Sequence, residues 1–142
     1  MTRLLIVISA LVFAFACGSS DPDTEEAASE RCDTCGMLVS PEDGWRAGAD
    51  ELTFDAPKCL FRHAHRHGEL RSPWVIEYYT QERRDAEGLL YVTGTDLESP
   101  MGADLVPVEG REAAERLLAE HGGETILAFD EVSAPLVEAL FH

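Results

Sequence analysis

The sequence predicts an α+β fold, built as two ββαβ-like halves in which a mainly antiparallel sheet carries packed helices. Three observations lead there. Short β-branched and aromatic runs recur between turn residues, as strands do. Two helical stretches, at 56–67 and 111–123, each stand between such runs. The order of strands and helices is also the same before and after the middle of the body, although the residues themselves do not repeat.

The elements follow in order. "MLVS" (37–40) and "ELTFD" (51–55) read as strands around a turn at "PEDGW". "APKCLFRHAHRH" reads as a helix from Ala56 to His67, with Asp55 as N-cap, Pro57 in the first turn and Gly68 as the stop. "PWVIEYYT" (73–80) and "GLLYVTG" (88–94) are strands. Asp96 to Pro100 is loop, interrupted by Met101-Gly102. "ADLVPV" is a short strand that Pro107 assigns to a sheet edge. "REAAERLLAEHGG" is an amphipathic helix whose stripe is Ala114, Leu117, Leu118 and His121, ended by Gly122-Gly123. "ETILAFDEV" (124–132) is a strand and "SAPLVEALF" (133–141) a closing helix.

The chain has 142 residues and a net charge of -16, with 45% hydrophobic residues. That is ordinary composition for one globular domain. So acidic a surface repels nucleic acid and anionic lipid headgroups, which excludes both as electrostatic partners. Cations and basic proteins suit it better.

The N-terminus points to export. Arg3 is followed by an apolar run from Leu4 to Ala16, shorter than the ~20 residues a membrane span needs. It has the form of a signal peptide over residues 1–16. The run ends in Ala16-Cys17, and the polar stretch "GSSDPDTEEAASER" follows at once. A small residue, a cysteine and a polar tether resemble a bacterial lipoprotein signal, with Cys17 as the lipidated residue. The expectation is a lipid anchor facing the periplasm. Gly18 after the cysteine, rather than Asp, favours an outer-membrane address in a cell with two membranes. Residues 17–31 are then anchor and acidic tether, and 32–142 the single folded domain.

With Cys17 lipidated, Cys32, Cys35 and Cys59 remain, a number that cannot pair off completely. In an exported protein an unpaired thiol needs a reason, and metal ligation is one. Cys32-x-x-Cys35 followed by Gly36 is a tight turn that brings two sulfurs together. It lies before a strand, not at the start of a helix, and this argues against a thioredoxin-type enzyme. Cys59 and His63 stand four apart on one helix face. Cys32, Cys35, Cys59 and His63 therefore form a credible structural zinc set. His65 reads as part of a solvated, cationic helix end that suits the dipole. For His63 and His67 that reading and the ligand reading weigh equally.

Methionine separates the metals, because thioethers suit Cu(I) and zinc makes little use of them. Met37 follows Cys35 by two residues, where burial at a strand start is the simpler reading. Met101 lies in the loop "SPMGAD", an unusual place for a core methionine, and tilts towards a ligand. No nucleophile–base pair, phosphate loop or HExxH motif is present, so the chain reads as a non-enzyme.

"CDTCGM", "LTFDAPKCLFRH", "LLYVTG", "SPMGADLVPV" and "AAERLLAEHGGETILAFDEV" occur in this order across residues 32–132. In that order they resemble the NosL family, lipid-anchored copper-binding accessory proteins of nitrous oxide reductase assembly. The first half is also similar to heavy-metal-binding modules of YHS type, which share Cys-Gly-Met and a later helical cysteine. The resemblance implies Cu(I) on Cys35 and Met101 with Met37 nearby, while Cys32 and Cys59 are matched in many relatives. It implies two ββαβ-like halves and delivery of copper to a client enzyme or its assembly machinery.

Overall fold

The structure, a computed structural model, describes residues 30–142. The signal segment, Cys17 and the tether up to residue 29 lie outside the described residues. Two short strands open the fold: β1 (Glu30–Arg31) pairs antiparallel with β2 (Leu38–Val39). Glu30 and Arg31, assigned from sequence to the tether, are thus the first paired residues of the body.

The first half then runs β3 (Ala47–Ala49), β4 (Leu52–Phe54), α1 (Pro57–His67), β5 (Trp74–Ile76) and β6 (Arg83–Asp85). Its four strands lie in the order β4-β3-β5-β6, all antiparallel. The second half runs β7 (Leu90–Thr93), the hairpin β8 (Glu98–Ser99) and β9 (Gly102–Ala103), β10 (Val106–Val108), α2 (Gly110–His121) and β11 (Thr125–Ala128). Its sheet has the order β10-β7-β11, again antiparallel. α3 (Ala134–Ala139) closes the chain and packs on α1.

The two halves repeat one topology. In each, the first strand is central. The second strand flanks it on one side, and the strand after the helix flanks it on the other. Pro107 pairs opposite Tyr91 in β10, an edge strand, where a residue without an N–H costs no ladder bond.

Sequence and structure differ in the first half. The partner of "ELTF" is not "MLVS" but Ala47-Gly48-Ala49, a run with no β-branched residue. Tertiary packing explains it. All three residues of β3 are buried, and a Cβ on Gly48 would fall 2.6 Å from the Trp74 ring on the neighbouring strand. Only a side chain this small fits a central strand under α1, whatever its β-propensity. The strand at 73–80 is also shorter than predicted. It ends at Ile76 because the buried Glu77 carboxylate takes the Thr80 N–H at 2.6 Å and turns the chain.

The halves meet at the N-terminus of α1. Ala56 is its N-cap and provides no side-chain acceptor, so Asp55 does not cap the helix. The acceptor comes from the other half: Asp104 Oδ1 takes the N–H of Lys58 at 2.9 Å. The Lys58 side chain, fully buried, runs back to the same loop. Its Nζ donates to the carbonyls of Met101 (2.9 Å), Ala103 (2.8 Å) and Leu140, the C-cap of α3 (3.2 Å), and lies 3.9 Å from Asp104 Oδ2. Three carbonyls and a carboxylate replace the water that this ammonium has lost. Burial pushes the Asp104 carboxyl up to about 7, with two backbone N–H groups, Ser99 and Lys58 pulling it back.

Removing one member of so buried a pair strands the other. Asp104→Ala is expected to lower the unfolding free energy of the metal-free protein by about 3–5 kcal/mol above neutral pH. The double variant Lys58→Met/Asp104→Leu should lose less than the two single losses added together. Denaturant unfolding of the four proteins measures both.

Candidate metal centre

The Cys-x-x-Cys turn is held from every side by backbone. Gly36 N–H donates to Cys32 O at 2.9 Å and Cys32 N–H to Met37 O at 2.8 Å. Gly36 takes φ +77°, a left-handed conformation that closes the turn without the cost of a Cβ. Asp33 and Thr53 exchange two bonds, Asp33 N–H to Thr53 O at 2.9 Å and Thr53 N–H to Asp33 Oδ2 at 2.7 Å, so the turn is fixed to β4. Thr34 Oγ1 donates to Cys59 O at 2.8 Å and fixes it to α1.

This brings the three thiols together. The ligand atoms of Cys32, Cys35, Asp55 and Cys59 all lie within 4.8 Å of one another. Cys32 and Cys59 are buried and Cys35 is partly exposed, so the cluster opens to solvent on the Cys35 side. The Met101 Sδ stands 3.8 Å from the Cys59 Sγ, so the loop of the second half covers the first turn of α1. Four sulfurs and one carboxylate converge, and all three cysteines are free.

Asp55 is the residue that sequence reasoning placed elsewhere. Its Oδ1 accepts from the Cys35 thiol at 3.5 Å, and its Oδ2 is buried without a partner. A buried carboxylate oxygen with no donor, facing three thiols, is what a cation site looks like when only its protein groups are counted. The signal for it in the sequence is the spacing: Asp55 and Cys59 stand four apart across a helix start. Lys58 carried no signal at all, since nothing in "DAPKC" separates a buried lysine from a solvated one.

Of the other sequence candidates, Met37 is 40% exposed and touches the turn through its backbone, its carbonyl accepting from Cys32 N–H and its own N–H facing the Cys35 sulfur. His63 is not in the cluster with the cysteines. Its ring packs between Phe54, at 5.3 Å between centroids, and His67, at 4.5 Å. The ligand atoms that lie together are those of the three cysteines and Asp55, and His63 is not among them. His65, read as solvated, bonds the Val132 carbonyl at 2.9 Å and ties α1 to the chain before α3.

The thiols differ in their protons. Cys32 is lowered to about 6, chiefly because the Cys59 thiol donates to it; burial opposes this, and the backbone N–H groups of Asp55 and Cys35 add to it. Cys35 is raised to about 11 by burial and by its neighbour Cys32. Cys59 is pushed far up, first because it donates to Cys32 and then by burial. One thiolate, on Cys32, shares the site with two thiols at neutral pH. Soft anionic sulfur, a thioether and a shielded carboxylate make a donor set for a thiophilic cation.

The metal-free protein should show one thiolate by ultraviolet absorbance at neutral pH, titrating with a midpoint near 6. Cys59→Ala removes the donor and should move that midpoint up. Because the folded pKa lies below the unfolded one, the stability Cys32 contributes is full above pH 9 and is lost as pH falls through about 6. Comparing unfolding of wild type and Cys32→Ser across this window checks the sign.

The model of the NosL family matches residues 23–137 of the chain. Among solved structures, the chain is similar to the copper chaperone NosL from Shewanella denitrificans, with a TM-score of 0.64 and 19% identity over 75% of this chain and 92% of that one. At that identity the likeness shows the fold. No curated protein sequence matches. The fold of two antiparallel halves and the family match over most of the chain agree, and the protein belongs to the NosL family.

Proposed function

We propose that this protein is a copper chaperone, anchored by lipid on Cys17 and facing the periplasm, that holds Cu(I) and passes it to the assembly machinery of a copper enzyme, nitrous oxide reductase. The observation that carries the reading is the convergence of Cys32, Cys35 and Cys59 with the Met101 thioether beside the buried, unpartnered oxygen of Asp55. Thiolate and thioether suit Cu(I), and a zinc site has little use for the methionine. The name of the solved relative, a copper chaperone, supports the same reading.

In this reading Cys32, already a thiolate, is the first ligand, and Cys35 or Cys59 joins it by losing a proton. Met101 closes the site from the second half. Asp55 is placed to take the departing proton from Cys35, its neighbour at 3.5 Å. Cys35 is the partly exposed sulfur, so it is the one an incoming ligand of a client can reach first. Met37, exposed on the outer side of the same turn, offers a thioether to that encounter. Transfer then goes through a shared-ligand intermediate and needs no catalytic step.

Competition against a Cu(I) chelator, with zinc in excess, tests the metal. The reduced protein should take Cu(I) in preference; zinc retained against copper would establish a zinc module of three cysteines and Asp55 instead. Met101→Leu should weaken Cu(I) binding while costing the metal-free fold less than about 1.5 kcal/mol, since volume and apolarity are nearly kept. Cys35→Ser should weaken copper more, because an anionic donor is lost. A Met101→Leu protein that binds Cu(I) like wild type but melts far earlier would make Met101 a packing residue. For the anchor, Cys17→Ser should release the protein from the membrane fraction or block its processing. A wild-type protein that is wholly soluble and unlipidated would overturn that part.

A further inference from the structure

His63 and His67, which the sulfur cluster leaves out, stand one turn apart on α1 and share a face with Cys59, one turn before His63. Their rings lie 4.5 Å apart between centroids, inclined at 39°. Two imidazoles at this spacing on a helix can turn one nitrogen each towards a common point on the outer side of the face. The geometry constrains one of them already: His63 is seated against the Phe54 ring, so little side-chain freedom remains for it to lose. His67 is exposed, which leaves the approach open to solvent.

We propose that His63 and His67 form a second metal site, separate from the sulfur cluster, for a borderline divalent ion, Cu(II) ahead of Zn(II). Imidazole nitrogen suits these ions, and among divalent ions at a nitrogen site Cu(II) binds most tightly. The other coordination positions go to water, since the pair lies at the surface. Desolvation lowers the His63 pKa, which favours the neutral imidazole that a metal needs, and Asp33 opposes it. The carboxylate of Asp33, fixed by the Thr53 N–H, also adds a negative charge near the pair. The net charge of -16 draws divalent cations to the molecule as a whole. The sulfur cluster, with thiolate and thioether donors, suits Cu(I), which leaves Cu(II) to the imidazoles.

The test uses the full chain, reduced and filled with one equivalent of Cu(I) under anaerobic conditions, so that free thiols do not consume the oxidised metal. Cu(II) is then added and followed by electron paramagnetic resonance. The expected result is one tetragonal Cu(II) signal carrying hyperfine structure from nitrogen. His63→Gln and His67→Gln should each weaken Cu(II) binding by at least about tenfold and remove part of that structure, with Cu(I) stoichiometry unchanged. His65→Gln should leave the signal as it is. If His67→Gln keeps both the affinity and the nitrogen hyperfine structure, Cu(II) is held elsewhere on the chain and the proposal fails. The full chain carrying Cys32→Ser, Cys35→Ser and Cys59→Ser, checked for folding by circular dichroism, repeats the titration without Cu(I). Loss of the signal in that folded variant would show that the pair depends on the sulfur cluster and would overturn its independence.

Discussion

The contact between Asp104 and the first turn of α1 is the constraint on which the rest of the molecule depends. Each half alone is a three- or four-stranded sheet with one helix, too small to bury much of its own surface. They become one body where the loop of the second half supplies the acceptor that the first helix lacks, and where Lys58 returns three hydrogen bonds to that loop and to α3. The same bonds decide where Met101 lies. Its carbonyl is held by Lys58 Nζ, so the thioether of one half is carried to the sulfur of Cys59, the very next residue on the helix of the other.

A buried ammonium is an expensive way to join two halves if cohesion were all that was needed, since apolar packing does that at lower cost. What the polar tether adds is direction. Carbonyls, carboxylate and ammonium accept only one arrangement, so the loop 99–104 has one position and Met101 one place above the cluster. The loop also braces itself: Ser99 Oγ donates to Gly102 O and accepts from Met101 N–H. A thioether is a weak neutral ligand, and it contributes to a metal only if its position is already fixed.

The cluster combines thiols that differ in charge because of what surrounds each. Cys32 sits where a thiol and two backbone N–H groups point at it, so the anion is stabilised there despite burial. Cys59, fully buried and spent as the donor to Cys32, keeps its proton. An ion arriving at the site therefore meets one ready anion and displaces protons to recruit a second, which couples uptake to pH. The open side at Cys35 and the closed side at Met101 give the site an entrance and a roof. The entrance follows from the way Thr53 and Thr34 fasten the Cys-x-x-Cys turn to β4 and α1, and the roof from the way Lys58 holds the Met101 loop.

Much of this was legible in the chain itself. Alternating runs and two helical stretches determined an α+β fold of two like halves. Gly68 and Gly122 marked the helix ends, and Pro107 marked an edge strand, because each residue restricts its own backbone wherever it occurs. Cys32, Cys35, Cys59 and Met101 could be singled out because sulfur is rare and its spacing is informative. Tertiary structure decided what depends on partners distant in sequence. Ala47–Ala49 pairs as a central strand, without a β-branched residue, because Gly48 leaves room for the Trp74 ring where a Cβ would clash. Asp55 faces thiols instead of capping its helix because Asp104 has taken that role, and His63 faces His67 and Phe54 instead of the cysteines. Lys58 is buried only because three carbonyls and a carboxylate from remote segments meet there. Such choices rest on desolvation and on partners brought from far along the chain, and local sequence records neither.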